Sequence, residues 1–360
     1  MANPILIEDL ERIHASVKRR EMFDGSTIVV TGCAGFLGFY FLQYLLRYAE
    51  CLGIEKVIGL DTFLLDKPWW LDELFKEFSD VLRLHAFDVA RHDISTIEGV
   101  RDARFVIHGA SIASPTYYRQ YPLETIDANV LGLRRLLDFC RNKNTLQGFL
   151  FFSSSEIYGD PDPNFIPTGE EYLGNVSCHG PRACYDESKR LGETLCWIYA
   201  KQYSLPITVA RPFNNFGPGM RVADKRLPAD FAKCVVENRD IVIYSDGKPS
   251  RTFCYVSDAI AGYMLCLLYG RYDYFNIGIE KPEISVADLA RIYQTAGTDV
   301  FNYDGEIRYN ISDDPDYMTD NPNRRCPKIN KAREKLGYDP NVLVEAGVRR
   351  YLHYLKHEGL

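Results

Sequence analysis

The sequence predicts an α/β protein: a doubly wound parallel sheet with a smaller mixed α/β domain capping it. Three observations lead there. As far as Arg211, short β-branched runs alternate with helical patterns, as βαβ units do. One of those runs passes straight into a glycine cluster and then into an apolar helix. Beyond Arg211 the alternation breaks, and the carboxyl third is irregular.

Composition narrows the possibilities. The 360 residues, 46% hydrophobic and 25% charged, are ordinary for a globular chain with a sizeable core. A net charge of −7 with no long basic run argues against a nucleic-acid surface. The ten cysteines are scattered, with no C-x-x-C pair and no histidines at metal spacing. They read as reduced thiols, and no metal is expected. The first 22 residues mix acids and bases and lack a signal-peptide core, and no stretch is long enough to span a membrane. A cytoplasmic protein with no membrane partner is the expectation.

Residues 1–24 place Ile5, Leu6, Leu10, Ile13 and Val17 at helical spacing, which predicts an amphipathic extension laid on the main domain. A strand over 27–31 then meets Gly32-Cys33-Ala34-Gly35-Phe36-Leu37-Gly38. Glycines at a strand-to-helix junction permit a tight turn and let the backbone approach a pyrophosphate, while the helix N-terminus favours the anion. The second strand, 56–60, ends at Asp61, where a carboxylate suits the two ribose hydroxyls of NAD and repels the extra phosphate of NADP. This is the dinucleotide-binding, or Rossmann, arrangement. In residues 62–80 the indoles of Trp69-Trp70 read as packing groups. A third strand closes on Asp88-Val89, where the aspartate can reach an adenine amino group. A fourth, 104–107, ends in His108-Gly109-Ala110-Ser111, small enough for close approach of a cofactor at Ala110. His108 reads as a satisfied loop histidine.

A helix over 122–142 follows, with Ile126, Val130, Leu133, Leu136 and Leu137 on its apolar face. The fifth strand, 149–152, runs into Ser153-Ser154-Ser155-Glu156-Ile157-Tyr158-Gly159, polar groups at a carboxyl strand end, where open parallel sheets bind ligands. The helix over 181–203 carries Tyr185 and Lys189, four residues apart and so on one face. A lysine ammonium there is expected to lower the tyrosine pKa and make the phenol a usable acid/base. After a sixth strand at 207–210 come loop residues 214–220, helices near 227–237, 257–269, 286–296, 329–336 and 344–357, and strands near 241–244, 274–277 and Ile307. Residues 25–212 with 252–277 are assigned to the cofactor domain, and 213–251 with 278–360 to the substrate domain.

With the glycine turn, Asp61, Ser154 and the Tyr185/Lys189 pair in this order, the chain resembles the extended short-chain dehydrogenase/reductase family over roughly residues 25–355. Further stretches resemble the family's nucleotide-sugar enzymes, above all the UDP-glucuronate decarboxylases. They are Ala110 to Pro115, Ser154 to Pro161, Gly180 to Lys189, Phe213 to Pro218 and Arg251 to Asp258. The resemblance implies NAD as cofactor and a nucleotide-diphosphate sugar as substrate. It implies that Tyr185 takes a sugar hydroxyl proton, that Lys189 holds the nicotinamide ribose, and that Ser154 orients the hydroxyl. It places Ser114, Asn214, Arg226, Arg251 and Arg325 at the substrate, with Asn214, Arg226 and Arg251 at its diphosphate, where an arginine's planar fork suits phosphate oxygens. Glu156 and Arg325, in Pro322-Asn323-Arg324-Arg325-Cys326-Pro327, would serve carboxylate chemistry.

Two related outcomes share the same core: a 4-epimerase, and a 4,6-dehydratase, which uses an Asp-Glu pair where this chain has Ser155-Glu156. A non-catalytic NAD-binding module is the reading from another class, and the intact Ser154, Tyr185 and Lys189 speak against it. The loop Gly217-Pro218-Gly219-Met220 lacks the arginine that precedes the methionine in the decarboxylases. A homodimer is implied, with the helices over 122–142 and 181–203 as its interface.

Overall fold

Seven strands make one parallel sheet in the computed structural model, which describes residues 3–222, 224–311, 319 and 321–360. They are β1 Ser26–Thr31, β2 Ile54–Asp61, β3 Leu82–Ala86, β4 Ala103–His108, β5 Gly148–Phe152, β6 Ile207–Pro212 and β7 Asp273–Ile277. Their spatial order is β7-β6-β5-β4-β1-β2-β3, every neighbouring pair parallel. The chain winds outward from β1 to β3, then returns to β4 on β1's other side. That reversal opens a crevice at the carboxyl ends of β1 and β4.

Burial follows from the layering. All six residues of β1 are buried, as expected of a central parallel strand covered on both faces. In β5 the two-residue period sends Leu150 and Phe152 into one core layer and Phe149 and Phe151 into the other.

The amino-terminal helix, Pro4–Ser16, is capped by the Asn3 side chain and buries Leu6, Leu10 and Ile13, as its spacing predicts. It also buries Asp9. That carboxylate accepts hydrogen bonds from Tyr40 (2.8 Å), Tyr255 (2.7 Å) and Arg350 (2.7 Å), tying the extension to three distant segments. Trp70 packs edge-on against Phe39 with ring centroids 4.9 Å apart, while Trp69 is exposed.

One predicted helix departs from its pattern. Residues 122–140 form Pro122–Ile126, a π-helical stretch Asp127–Gly132 and Leu133–Cys140 in succession. The wider turn rotates the face, so Thr125 and Asn129 are buried, Val130 is half-buried and Ile126 is exposed. Asn129 Nδ2 donates to Ser188 Oγ on the helix Ala183–Tyr203 at 2.9 Å. A hydrophobic 3.6-residue template has no term for that polar contact.

The cap is built from short pieces. Ser250–Arg251 pairs with Ile284–Ser285 on one side and Arg324–Arg325 on the other, which sets Arg325 beside Arg251. Ile241–Ile243 pairs with Ile307–Tyr309. Leu227–Val236, Val286–Phe301 and Val344–His357 are the cap's longer helices. All ten cysteines are free thiols. Among the described residues no helix is long and apolar enough to cross a membrane.

Candidate active site

A cleft of about 1220 Å³ runs along the carboxyl ends of the strands and under the cap. Every candidate residue named from the sequence lines it, from Gly32 at one end to Arg325 at the other. Arg182, Tyr118 and Arg221 line it too, and the sequence had not singled them out.

The glycine turn sits at the switch point. Gly32 has a φ of +70°, and a Cβ there would lie 2.7 Å from the Ala110 nitrogen and the Gly109 backbone. Gly38 is as confined, its Cβ falling 2.5 Å from the Cys33 carbonyl oxygen. Gly35 caps Phe36–Arg47 with no side chain on the helix end, so backbone N–H groups face the cleft beside Phe36 and Leu37. Asp61 accepts from the Ala34 and Phe63 amides, each at 2.9 Å, and burial raises its carboxyl above the ordinary aspartate value. Asp88 accepts from the Ala90 amide at 2.8 Å, next to buried Val89. A cradle without room for side chains, a helix N-terminus and an oriented carboxylate fit a dinucleotide. His108 is buried and bonded to Thr31 Oγ1 at 2.9 Å, a satisfied histidine as expected, but it ends strand β4 rather than lying in a loop.

Tyr185 is buried, its ring stacked on Tyr118 with centroids 5.1 Å apart. Lys189 Nζ lies 5.6 Å from the Tyr185 ring centroid and donates to the Phe152 carbonyl at 2.7 Å. The two share a helix face, as their spacing requires. The expected effect on the phenol is not found: burial pushes Tyr185 up to about 12, against the pull of a Ser154 hydrogen bond. Burial also pushes Lys189 down to about 7. Desolvation disfavours both charged forms and outweighs the pairing that spacing alone suggests. Ser154 Oγ also accepts from the Glu156 amide at 3.2 Å.

Glu156 is held by two guanidinium groups. Arg325 approaches both carboxylate oxygens, Nη2 at 2.8 Å, and Arg182 bonds one of them. Burial alone would raise this carboxyl, but Arg182 and Arg325 hold it well below the usual carboxylate range. Arg182 also lies 3.6 Å from Asp186, one turn along the helix. Burial and the Glu156 charge push the Asp186 carboxyl up. Arg251 gives its donors to main-chain oxygens, Pro322 at 2.6 Å and Ser250 at 2.8 Å. Burial and the neighbouring Arg325 push its guanidinium below the ordinary arginine range. Two guanidiniums thus bond one ionised carboxylate, and a third, Arg251, lies beside Arg325. This end of the cleft is short of negative charge.

Beyond it, Arg226 is paired to Asp224 at 2.8 Å, and Ser114 Oγ donates to the Asp224 carbonyl at 2.8 Å. Asn214, at a φ of +42°, donates to the Thr252 carbonyl at 2.9 Å. Arg182 could have been found from the sequence, because a helix sets it four residues before Asp186. Tyr118 had no local signal.

Among the described residues no group of three His, Cys, Asp or Glu side chains is gathered for a metal. Comparison with known proteins gives the family. A model of the NAD dependent epimerase/dehydratase family matches residues 28–278. UDP-glucuronic acid decarboxylase 1 of Xenopus tropicalis is 32% identical over 98% of this chain and 78% of its own length. UDP-glucuronic acid decarboxylase 2 of Arabidopsis thaliana is 33% identical over 94% of this chain and 69% of its own. The fold is shared with a UDP-glucose 4-epimerase of Thermotoga maritima, at a TM-score of 0.79 and 23% identity over 93% of this chain and all of that one. A dTDP-glucose 4,6-dehydratase of Streptomyces venezuelae solved with NAD has a TM-score of 0.78 at 22% identity, over 92% of this chain and 97% of that one. With the family model matching residues 28–278, all but the first two residues of the parallel sheet, and about a third of the aligned positions shared with these relatives, this chain belongs to the NAD dependent epimerase/dehydratase family.

Proposed function

We propose that the protein decarboxylates a nucleotide hexuronate such as UDP-glucuronate, through a 4-keto sugar, to the nucleotide pentose. The observation that carries this is Glu156 gripped by Arg182 and Arg325, with Arg251 behind them. A cation-rich pocket favours a substrate bearing a carboxylate as well as a diphosphate. The same grip disfavours dehydration. That reaction needs a base for the C5 proton and an acid for the departing hydroxyl. A carboxylate held so far below its usual range is a weak base, and Ser155 stands where the acid would be. The decarboxylase names of the relatives point the same way.

NAD, when bound, supplies the hydride acceptor that makes C4 a ketone and afterwards the hydride that restores the alcohol. Gly32, Gly35, Phe36, Leu37, Gly38, Asp61, Asp88, Val89 and Ala110 are the residues proposed to hold it. In the reaction Ser154 orients the C4 hydroxyl and Tyr185 takes its proton. Lys189 steadies the nicotinamide ribose. The C5–C6 bond then breaks, its electron pair passing into the C4 carbonyl as CO2 leaves, and C5 picks up a proton. Arg325 and Glu156 position the carboxylate for that step, while Asn214, Arg226 and Arg251 hold the nucleotide diphosphate and Ser114 also contacts the substrate. In this reading residues 25–212 and 252–277 serve the cofactor, and 213–251 and 278–360 the sugar. The free thiols accord with a cytoplasmic location, which fractionation of cells expressing a tagged protein tests. A homodimer belongs to the same proposal and is taken up below.

The test is incubation of the purified protein with UDP-glucuronate and, separately, with UDP-glucose and dTDP-glucose, following products by NMR. CO2 release with a UDP-pentose is expected. Intact UDP-glucuronate alongside an epimerised or dehydrated hexose would overturn the proposal.

A further inference from the structure

The loop that follows β2 lies over the cofactor end of the cleft, which Asp61, Thr62, Leu64, Leu65 and Asp66 help to line. Its backbone is unusual: Phe63 has a φ of +56° and Asp66 of +80°. Residues with a Cβ persist in that left-handed region when their surroundings hold them there. Arg221, which also lines the cleft, supplies such a hold. Its guanidinium donates to the carbonyls of both Leu65 and Asp66, the latter at 2.9 Å.

The two ends of this contact differ. Arg221 springs from an anchored segment. The Met220 carbonyl accepts from Tyr351 at 3.0 Å, and Gly219, at a φ of +81°, sits so close to Phe39 that a Cβ would fall 2.4 Å from its ring. The loop it grips holds itself by local bonds alone, the Asp66 amide to the Phe63 carbonyl at 3.1 Å and the Leu64 amide to Thr62 Oγ1 at 3.3 Å among them. Loop and ribose carboxylate are linked, because the Phe63 amide also donates to Asp61 at 2.9 Å. Moving the loop would therefore reorient Asp61. Arg221 also acts on Asp61 directly, as a favourable charge opposing the effect of burial.

We propose that Arg221 is a latch on cofactor release: its two bonds to the loop carbonyls keep the ribose end of the cleft closed and Asp61 aimed. Arg221 is a positioning residue, acting on the cofactor through residues 61–66. The inference rests on the family's dependence on NAD and is independent of which sugar is converted.

Protein loaded with isotopically labelled NAD is mixed with excess unlabelled NAD, without any nucleotide sugar, and exchange is followed by mass spectrometry. Losing one charge-assisted bond of this kind corresponds to about a ten-fold change. Arg221→Met is expected to release NAD about ten-fold faster or more, and Arg221→Lys, which keeps the charge but not the fork, to fall between it and wild type. Far-UV circular dichroism and gel filtration should match wild type for both. Exchange by Arg221→Met at the wild-type rate overturns the latch. If Arg221→Met does not fold, wild-type exchange by Arg221→Lys overturns it equally. A decarboxylase reading that fails would show in the sugar products, with this exchange experiment unaffected.

Discussion

Tyr185 sits in a dry position, stacked on Tyr118 and raised to about 12 chiefly by burial. At neutral pH such a phenol keeps its proton and becomes a base only when charge is brought beside it. Lys189, pushed down to about 7 by burial, titrates near neutrality, and in the proposed mechanism its ammonium supplies part of that charge. Tyr185→Phe should lower kcat by about 10²–10⁴-fold while leaving the NAD content of the purified protein unchanged. Turnover retained in that variant would remove Tyr185 from the mechanism. Asp186 offers a test by stability. Burial and Glu156 raise its folded carboxyl from 3.8 towards neutrality, so the folded state holds the proton more tightly than the unfolded one. Its contribution is fully present below about pH 3.8 and is lost as the pH rises through the raised value. Denaturant titrations of wild type should therefore show stability falling in that window, by up to about 1.4 kcal/mol per pH unit from this group. Asp186→Asn should remove that slope; the same slope in the variant would assign it elsewhere. The Glu156 shift has the opposite sign, its stability being lost as the pH falls through its lowered value.

At the scale of elements, two neighbouring helical segments present apolar side chains to solvent. Leu123 (71%) and Leu131 (49%) lie within residues 122–140, and Leu191 (46%) and Trp197 (50%) within Ala183–Tyr203. Exposed apolar groups gathered on adjoining elements mark interaction surfaces. The proposed homodimer covers these helices, and the tyrosine helix is then steadied from behind. Sedimentation velocity is expected to give a dimer for wild type and a monomer for Leu191→Glu combined with Trp197→Glu. A wild-type monomer at micromolar concentration would dismiss the interface. The π-helical turn in the first segment serves the other side. It turns Asn129 inward to hold Ser188, one residue before Lys189.

Across the whole molecule, Asp9 is the point where remote parts of the chain meet. It joins the amino-terminal helix to Tyr40 behind the glycine turn, to Tyr255 and to Arg350 in the last helix. Asp9 is fully buried, so removing the carboxylate strands two hydroxyls and leaves the Arg350 guanidinium only Glu8 and the Ile5 carbonyl. Asp9→Ala is expected to cost about 3 kcal/mol, read as a lower midpoint in urea with an unchanged m value. A midpoint shifted by less than a quarter of that would show that the extension is merely laid on the surface.

Residue type and periodicity determined the strand-glycine-helix unit, the carboxylate closing β2, the Tyr185 helix and the alternation that makes a doubly wound sheet. These are local signals, set by two-residue and 3.6-residue repeats and by glycine's freedom at the turn. The tertiary structure decided what neighbours in sequence cannot. It set Glu156 between Arg182 and Arg325, raised Tyr185 where spacing predicted a lowered phenol, paired Arg325 with Arg251 through two-residue strands, and drew Arg221 across to the loop after β2. Each depends on desolvation or on contacts between residues far apart in the chain. Residue spacing carries no record of how much water a side chain has lost.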